Sequence, residues 1–462
     1  MKSLVKKFLL SFTAIALLVG ALPGGSAAAD KNGQESTSQP PSTSGTLALE
    51  DLEKMALERN PTLAQAEADV RASEGRKVQA GLYPNPVIGY EGREISFGPI
   101  IRAGEHGFFV RQSIVTGGKL GLSRKVFAEE QSQAESVAKA QRYRVLNAVQ
   151  LAYYDALGAH RLVEVRGELA KIAREAVVTS KQLYNVGQAD QPDVIEASVE
   201  AQRVDLDLVA AQHDQERVWQ QLAAAVGNPS LPLTPLAGKL DDPLPTLNRE
   251  GALQTILRDS PEVKIAEDGV ARAELALKRA RVEKLPDIQL RGGLDDNREL
   301  LEQMGRPVGW EGSVEVGVQI PIFNRNQGNI KTAAAELVHA RQETERVKLA
   351  LRFTYANPFR EYSDALVTAQ RYRQDMLPQA QKAYEMYLQK YREMGAAYPQ
   401  VLIAQRTYFQ LQEDYVKTLM KIWQAAVEIK GFLLVDGLAA PVAPGEPATV
   451  SPGVEVRPAG MP

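Results

Sequence analysis

LALEDLEKMALERNPTLAQAEADVRASEGRKVQA, at residues 47–80, is followed 200 residues later by LNREGALQTILRDSPEVKIAEDGVARAELALKRA, at residues 247–280. The two stretches share nine identities over 34 positions without a gap. A solenoid repeats about every 20–50 residues, so the much longer offset indicates a duplicated architecture instead. The identical positions of the first copy are Leu47, Glu50, Leu57, Pro61, Ala66, Glu67, Val70, Glu74 and Ala80.

Each copy opens the same predicted series of elements: a helix, two strand-like segments, a very long helix, a sharp turn and a return helix. Pro61 suits the first position of a helix, because the N–H that proline lacks would be unpaired there. In the first half we expect helices over 47–59, 61–82, 119–184 and 193–226, with extended segments over 87–95 and 107–115. In the second half we expect helices over 261–285, 328–391 and 401–434, with extended segments over 287–295 and 311–320 and a turn over 394–399.

The long helix of the first half is predicted to be a rod. Residues 119–184 contain no proline, and as one helix they would span roughly 100 Å. Small apolar residues recur along it in alternating three- and four-residue steps, with Arg166 and Ser180 as polar exceptions, which is the spacing of a coiled coil. The apolar positions are Val149, Ala152, Ala156, Ala159, Val163, Ala170, Ala173, Val177 and Tyr184.

The second long helix shows a similar line of apolar positions, which we call the seam of each long helix, and one predicted irregularity. Asn357-Pro358 lies inside the helical pattern, and an internal proline predicts a kink or a break there. The seam positions of this half are Ala365, Ala369, Tyr372, Met376, Ala383 and Met386.

The extended segments predict two-faced strands. Val314, Val316 and Val318 alternate with polar or small residues, and each segment is about as long as a tilted strand that crosses a bilayer. The strands alone favour a half-buried hairpin on a soluble domain. Four strands cannot close a barrel, however, and open sheet edges are not tolerated in lipid. A membrane location therefore requires several chains to share one barrel, and three copies would supply twelve strands.

The two ends of the chain predict export and disorder. Three lysines (Lys2, Lys6 and Lys7), an apolar stretch over 8–21 and three alanines over 27–29 form a signal peptide at 1–29. A membrane anchor is disfavoured because this apolar stretch is short for a span. The predicted order is a disordered linker at 30–46, a first repeat at 47–228, a Pro-rich linker at 229–246, a second repeat at 247–436 and a disordered tail at 437–462.

Composition excludes several functions. The chain has no cysteine, so disulfides, thiolate metal sites and lipidation on an N-terminal Cys are excluded. Without the three lysines of the signal, 51 basic residues face 57 acidic ones, and a net charge of −6 does not suggest nucleic acid as a partner. No nucleophile elbow, phosphate loop or metal motif is present, so an enzyme is disfavoured and no cofactor is expected. The four histidines are dispersed, and we interpret the adjacent Glu105-His106 between the first two extended segments as a solvated loop.

Over residues 47–435 the sequence resembles the TolC-like outer membrane efflux proteins. The resemblance rests on the duplicated plan, on the exits from the strands into the rods and on the turn patterns. The exits are QSIVTGGK at 112–119 and QIPIFNRNQG at 319–328. The turn pattern of Tyr184, Gly187, Asp193, Val194, Ile195 and Ala197 is echoed by Tyr391, Gly395, Val401, Leu402 and Ala404.

The resemblance implies a fold that is mainly α with a small β part. Duplicated coiled-coil hairpins and four strands per chain would build a homotrimer, with a twelve-stranded β-barrel in the outer-membrane lipid and an α-helical tunnel in the periplasm. The implied function is the passive exit duct of a tripartite efflux system, joined through a periplasmic adaptor to an inner-membrane pump. The resemblance further implies that Val186, Gly187, Met394 and Gly395 form the adaptor-contacting tips.

Gate residues are also implied by the resemblance. Tyr391 falls where the family places a gating tyrosine. Family members often have two acids just after the second turn, but here those positions are Gln400 and Ile403, so Asp193 and Glu196 after the first turn are the candidates for an acidic constriction. The alternative is that Asp193 caps the return helix and Glu196 stabilises its first turn.

The motif FNRNQG at 323–328 and the motif Pro84-Asn85-Pro86 are most similar to sequences of the branch that serves cobalt–zinc–cadmium resistance pumps. Heavy-metal cations are therefore the candidate cargo. The rival hypothesis is a secreted coiled-coil interaction protein such as a periplasmic adaptor. An adaptor usually has one helical hairpin flanked by compact β-domains, whereas this chain has two hairpins and two strand pairs.

Overall fold

A computed structural model describes residues 45–94, 104–241, 243–300, 307–393 and 398–441, and from Thr46 onward the chain forms one unit. The predicted signal peptide lies outside the described residues, as does nearly all of the segment predicted at 30–46. Residues 437–441 belong to the segment predicted to be disordered, but they pack against the folded body. The amide of Gln141 donates hydrogen bonds to the carbonyls of Gly437 (3.3 Å) and Ala439 (3.1 Å), and these bonds hold this segment in place.

The order of elements is the predicted one in both halves. The first half comprises α1 (Leu49–Arg59), α2 (Pro61–Ala80), β1 (Val87–Arg93), β2 (Glu105–Ile114), α3 (Lys119–Asn185) and α4 (Gln191–Ala225). The second half comprises α5 (Arg249–Asp259), α6 (Pro261–Val282), β3 (Ile288–Leu300), β4 (Pro307–Val318), α7 (Gln327–Arg371), a π turn (Tyr372–Met376), α8 (Leu377–Arg392) and α9 (Tyr398–Lys430).

The duplicated prolines begin equivalent helices in the two halves. The side chain of Asn60 accepts a hydrogen bond from the Thr62 N–H (3.0 Å), and Pro61 follows it at the first helical position. In the second half, Ser260 accepts from the Glu262 N–H (3.3 Å), and Pro261 takes the first helical position. A polar cap followed by proline therefore fixes the start of α2 and of α6 by the same means.

The predicted rod of the first half is confirmed. Helix α3 runs without interruption over 67 residues, and its seam positions Ala156, Ala159, Ala170 and Ala173 are all buried. Alanine at these positions allows α4 and α9 to approach α3 closely. The last seam position, Tyr184, is exposed at the end of the rod.

Of the kink or break predicted at Pro358, the break is wrong, because α7 continues through this buried proline to Arg371, and the kink stays a prediction. The irregularity lies in the π turn, where the Leu377 N–H bonds to the carbonyl of Tyr372, five residues back. Pro378 explains it: a proline ring clashes with the carbonyl four residues earlier, here that of Gln374, and a wider π turn makes room.

The second seam is buried only in part. Ala365 and Ala369 lie in the core, but Met376, Ala383 and Met386 are exposed. Helix α8 packs against α9 and the π turn, and its buried residue is Tyr384. Within one chain the second seam is therefore buried at Ala365 and Ala369 and half-buried at Tyr372.

The four strands form one antiparallel sheet in the order β1-β2-β3-β4. We expected two separate strand pairs, but β2 pairs with β3 from Glu105↔Asn297 to Ile114↔Ile288. The register places apolar side chains on one face, with Ile88, Val110 and Val314 in one row. The opposite face is mainly polar, and both edge strands have one unpaired side.

A buried lysine joins the halves where strands become helices. The ammonium of Lys119, the first residue of α3, is only 4% exposed, and it lies 2.9 Å from Asp287 and 3.9 Å from Glu283. Asp287 also accepts a hydrogen bond from the Thr116 N–H (3.0 Å). These contacts hold the exit from β2 against the entry to β3, so the two strands of different repeats become neighbours.

The Pro-rich linker between the repeats is held by aromatic residues at similar positions in both repeats. Trp219 in α4 donates its indole N–H to the Leu231 carbonyl (2.9 Å), and Trp423 in α9 donates to the Leu240 carbonyl (3.0 Å). Around them lies the main hydrophobic core, built from α1, α3, α4, α5, α6, α7 and α9. None of the helices in the described ranges combines the length and hydropathy needed for a membrane span.

The core makes a direct prediction about stability. Leu222 is fully buried in α4, whereas Leu206 on the same helix is 72% exposed. We expect Leu222→Ala to lower the free energy of unfolding by about 2–5 kcal/mol, because it removes buried methyl groups and leaves a cavity. Leu206→Ala, the same chemical change, should lower the stability much less. Thermal unfolding followed by circular dichroism compares the two, and equal losses would contradict the assignment of the core.

Candidate functional site at the ends of the helical hairpins

The first hairpin ends in a tight turn between α3 and α4. Gly187 has a positive φ of 75°, and its N–H bonds to the Tyr184 carbonyl (3.0 Å), while the Gln188 N–H bonds to the Leu183 carbonyl (2.8 Å). This pair of bonds is a Schellman motif, which requires a left-handed residue and so favours glycine. Val186 is 67% exposed beside it. The predicted tip residues Val186 and Gly187 therefore do lie at the end of the hairpin.

The second hairpin turns between α8 and α9. The predicted tip residues Met394 and Gly395 lie outside the described residues. The helices that flank them are described, and they end at Arg392 and begin at Tyr398.

The two hairpins meet near these ends in a small apolar cluster. Ala197 from α4 packs with Tyr398 and Leu402 from α9, and Val177 and Tyr391 border the cluster. The rings of Tyr391 and Tyr398 lie 5.7 Å apart between centroids. The candidate gate residue Tyr391 therefore lies where the hairpins of the two repeats touch.

The other candidate gate residues, Asp193 and Glu196, lie at the start of α4. The alternative role of Asp193 as helix cap is wrong, because the N-cap is Asp190 and its side chain makes no capping hydrogen bond. Asp193 lies in the first turn and is half-buried, and Glu196 is exposed. Burial raises the pKa of Tyr398 to about 12, and the nearby charges of Glu200 and Glu196 add to the increase.

A bidentate polar contact between the hairpins was not predicted. The carboxylate of Glu200 in α4, 7% exposed, accepts two hydrogen bonds from the guanidinium of Arg406 in α9, one of them from Nε at 2.9 Å. This contact with Glu200 raises the pKa of Arg406. A bidentate pair fixes the angle between partners as well as their distance. The two residues are 206 positions apart, and no local sequence pattern pairs them.

Two further polar contacts join α9 to the first hairpin farther along. Arg166, the polar exception in the first seam, donates to both carboxylate oxygens of Glu413 (3.0 and 3.1 Å). Burial would raise the pKa of Glu413, but the hydrogen bonds from Arg166 hold it below its usual range. Gln424 donates to Asp155 (2.6 Å) nearer the core. Helix α9 is therefore tied to the first hairpin at three levels.

Two hydroxyls near the hairpin ends are buried without a hydrogen-bond partner in the described part of the chain. One is the hydroxyl of Tyr391, and the other is that of Ser180, the second polar exception in the first seam. Burying a hydroxyl without a partner costs free energy. The packing at this end is consequently weaker than a fully satisfied cluster would be.

The described ranges contain no group of three or more His, Cys, Asp or Glu side chains placed to hold a metal ion. Glu105 and His106 do not form a joint site, and they lie at the start of β2 rather than in a loop. Successive strand residues point to opposite faces, so Glu105 lies on the polar face and His106 on the apolar face. There His106 Nδ1 is 2.5 Å from the hydroxyl of Tyr90.

The sequence profile of the family described as outer membrane efflux protein matches residues 52–228 and 252–433. Two matched segments correspond to the two halves of the duplication. The chain belongs to the outer membrane efflux protein family. Members of this family are transport conduits of the outer membrane rather than enzymes.

Individual relatives agree with this assignment. The chain is 26% identical over 396 residues to the cobalt-zinc-cadmium resistance protein CzcC of Cupriavidus metallidurans, covering 85% of this chain and 91% of that one. Its fold is similar to the outer-membrane channel OprN, with a TM-score of 0.68 at 18% identity over 85% of this chain and 91% of that one. The outer membrane protein VceC of Vibrio cholerae gives a TM-score of 0.67 at 18% identity, over 84% of this chain and 96% of VceC.

The contact between Glu200 and Arg406 predicts local protection. We expect Glu200→Gln to increase amide hydrogen exchange about tenfold in peptides from 176–204 and 398–409, because the charge-assisted pair that joins α4 to α9 is lost. Glu216→Gln is the matched control, since Glu216 is exposed on the same helix. Mass spectrometry of the exchanged protein measures both variants. Unchanged exchange in Glu200→Gln would show that the pair does not hold the hairpins together.

Proposed function

We propose that three copies of this chain form a continuous exit duct, with a shared twelve-stranded barrel in the outer membrane and a helical tunnel in the periplasm. The observation that supports it is the sheet, which has an exposed apolar face, a polar face and two unpaired edges. Membership of the outer membrane efflux protein family supports the same proposal.

The sheet is suited to lipid on one face and water on the other. Val314, Val316 and Phe108 are exposed on the apolar face. On the polar face Arg291 forms an ion pair with Glu91, and its guanidinium lies 4.6 Å from the centroid of the Phe109 ring. A bilayer cannot satisfy the free N–H and C=O groups of β1 and β4. If β1 of one copy pairs with β4 of the next, three copies close the sheet and leave no edge.

The long hairpins would then extend from the membrane towards the pump. The 67 residues of α3 span about 100 Å as a helix, which places the hairpin ends far from the sheet. We assign Val186, Gly187, Met394 and Gly395 to the contact with a periplasmic adaptor, which connects the duct to an inner-membrane pump. Signal peptide 1–29 would export the chain, and repeats 47–228 and 247–436 would each supply one hairpin to the tunnel.

The gate would lie where the hairpins meet. Transport through a duct requires no chemical step, only a path that opens when the partner binds. Tyr391 borders the cluster of Ala197, Tyr398 and Leu402, and Asp193 and Glu196 lie within about one turn of Ala197 on α4. Moving α9 away from α4 would therefore break both this cluster and the Glu200–Arg406 pair. The unpaired hydroxyl of Tyr391 supports this proposal, because opening would give it access to water.

Heavy-metal cations are the proposed cargo. This rests on the similarity to a protein named for cobalt, zinc and cadmium resistance. A periplasmic adaptor, the rival hypothesis, would have no need for a two-faced sheet in which three strands have ten to thirteen residues and the edge strand β1 has seven.

A disulfide scan tests the closed barrel, and the chain has no natural cysteine to interfere. Val87→Cys on β1 is combined in turn with Ser313→Cys, Glu315→Cys or Gly317→Cys on β4. Within one chain these strands are three spacings apart, roughly 14 Å, which is too far for a disulfide. We expect at least one pair to give a species of trimer mass on a non-reducing gel, and reductant should return it to monomer.

Two controls make the scan decisive. Each single cysteine should remain monomeric on the gel, and Val87→Cys with Gln289→Cys on the interior strand β3 should not cross-link. The protein should also require detergent for release from membranes. Absence of a cross-link for every β1–β4 pair, or a ladder that stops at dimer, would overturn the shared barrel.

A charged residue at the first hairpin end tests the duct's partner and cargo. We expect Gly187→Glu to reduce binding of the protein to the adaptor of a cobalt–zinc–cadmium pump about tenfold. The tolerance of the cells to these metal salts should fall about tenfold as well, while the trimer still forms. Gly187→Asn is the control, because asparagine tolerates a positive φ and adds no charge. Normal metal tolerance in the Glu variant would contradict the assignment of the tip. Export of organic compounds alone by the wild-type chain would contradict the proposed cargo.

A further inference from the structure

The two ends of the sheet carry opposite charge. At the end joined to the helices, segments 76–86, 115–128, 276–287 and 319–332 contain eleven lysines and arginines against two carboxylates. Near the loop end the described residues are mainly acidic. They are Glu94, Glu105, Asp295, Asp296, Glu299 and Glu311, against Arg93 and Arg298.

Most of the cations at the helix end have no carboxylate partner. Arg76 pairs with Glu130 (2.7 Å), and Lys119 and Arg279 pair with acids of the strand–helix junction. The remaining side chains with high exposure form no ion pair within the described ranges, and we name them the basic collar. The basic collar consists of Arg124, Lys125, Lys278, Arg281, Lys284, Arg325 and Lys331.

Helix electrostatics explain only part of the basic collar. Lys278 and Arg281 lie near the end of α6, where a cation is stabilised by the helix macrodipole. Arg124, Lys125 and Lys331 instead lie within the first two turns of α3 and α7, where a cation gains nothing from the dipole. Neither helix has an acid in its first turn. Repulsion among these cations therefore remains uncompensated inside the chain, which indicates an anionic partner.

Exposed apolar side chains lie at the same level. Phe323 is 89% exposed, and Tyr83, Ile320 and Ile322 are exposed as well. Tyr83 precedes β1, and the other three follow Val318, the last residue of β4, so all four lie at the helix end of the sheet. The side chain of Arg325 donates to the Ile322 carbonyl (3.3 Å), so a cation lies directly beside these apolar groups. Aromatic residues next to lysine and arginine are typical of the boundary between hydrocarbon and lipid headgroups.

A crevice opens within this region. It has a volume of about 550 Å³ and lies between the start of α3, the end of α6 and the start of α7. Its polar lining consists of Ser123, Arg279, Glu283, Asn326 and Asn329, beside apolar side chains such as Phe127. Arg279 pairs with Glu283 and donates from Nε to the Ser123 hydroxyl (2.8 Å), so the charge for an anionic partner comes from the exposed basic collar around the crevice.

We propose that the basic collar binds the anionic headgroups of phospholipids in the inner leaflet of the outer membrane. The inference rests on the proposed function, which orients the helices towards the periplasm. Charge complementarity identifies the occupant as a phosphodiester with net negative charge, such as phosphatidylglycerol, rather than a zwitterionic lipid. The acidic loop end would face the opposite leaflet, so the same charge asymmetry would fix the orientation and depth of the barrel.

Lipid titration of the intact protein in non-ionic detergent tests the proposal. The probes are dihexanoyl phosphatidylglycerol, dihexanoyl phosphatidylcholine and glycerol 3-phosphate, and native mass spectrometry counts the bound molecules. A collar variant combines Lys278→Gln, Arg281→Gln, Lys284→Gln and Arg325→Gln. The control makes an equal charge change at exposed lysines of the rods that form no described ion pair. It combines Lys171→Gln, Lys181→Gln, Lys382→Gln and Lys390→Gln.

The wild type and the rod control should prefer phosphatidylglycerol over phosphatidylcholine about tenfold, and the collar variant should lose about tenfold or more in its affinity for phosphatidylglycerol. Added salt should weaken the binding, since the charges are exposed. Equal binding of the two lipids, or unchanged binding in the collar variant, would overturn the proposal. Glycerol 3-phosphate that binds as tightly as the lipid would identify free phosphate as the occupant and also overturn it.

The same preparations separate this inference from the proposed function. Their mass reports the trimer, and their conductance in a planar bilayer reports the duct. A conducting trimer without a preference for phosphatidylglycerol would overturn only the role of the basic collar. A protein that neither forms a trimer nor conducts would overturn the proposed duct itself.

Discussion

The buried contact of Lys119 with Asp287 determines how the two repeats become one molecule. An ammonium at the start of a helix is unfavourable, and burial makes it more so, unless acids compensate it. Asp287 and Glu283 do so from the other repeat, at 2.9 and 3.9 Å. With the first rod held against the entry to β3, strands β2 and β3 pair and one sheet forms instead of two hairpins. The four-stranded sheet, and with it the position of the two edge strands β1 and β4, depends on this junction.

The kind of contact that holds the helices together changes along the rods, from large apolar side chains to small residues and polar pairs. Near the linker, Trp219 and Trp423 anchor a core in which Leu222 and Ile422 are fully buried. Farther away, small residues and polar pairs replace the large apolar side chains, and near the hairpin ends two hydroxyls remain unpaired. Polar pairs hold a defined geometry but separate at less cost than a large apolar core. Such a gradient makes the contacts near the hairpin ends easier to separate than those of the main core.

Several elements were predictable because they depend on local pattern. The absence of proline from 119–184 predicted the rod, and the alternation at Val314, Val316 and Val318 predicted a two-faced strand. Pro358 shows the limit of such reasoning: a proline removes one helical hydrogen bond, but burial of Leu351, Tyr355 and Tyr362 around it keeps the helix intact. Pro378 has a larger effect on the helix than Pro358, because the π turn directly precedes it.

The sequence by itself determined the duplication, the order of elements and the family, because periodicity, caps and repeat spacing are local properties of the chain. It also placed Val186, Gly187 and Tyr391 near the ends of the hairpins. Only the tertiary structure decided which groups meet there: Glu200 and Arg406 are far apart in sequence, and no pattern records their contact. The basic collar has the same origin. Its cations come from three helices and two connecting segments, and they become one charged surface only because antiparallel strands bring three of the strand–helix junctions to the same end of the sheet.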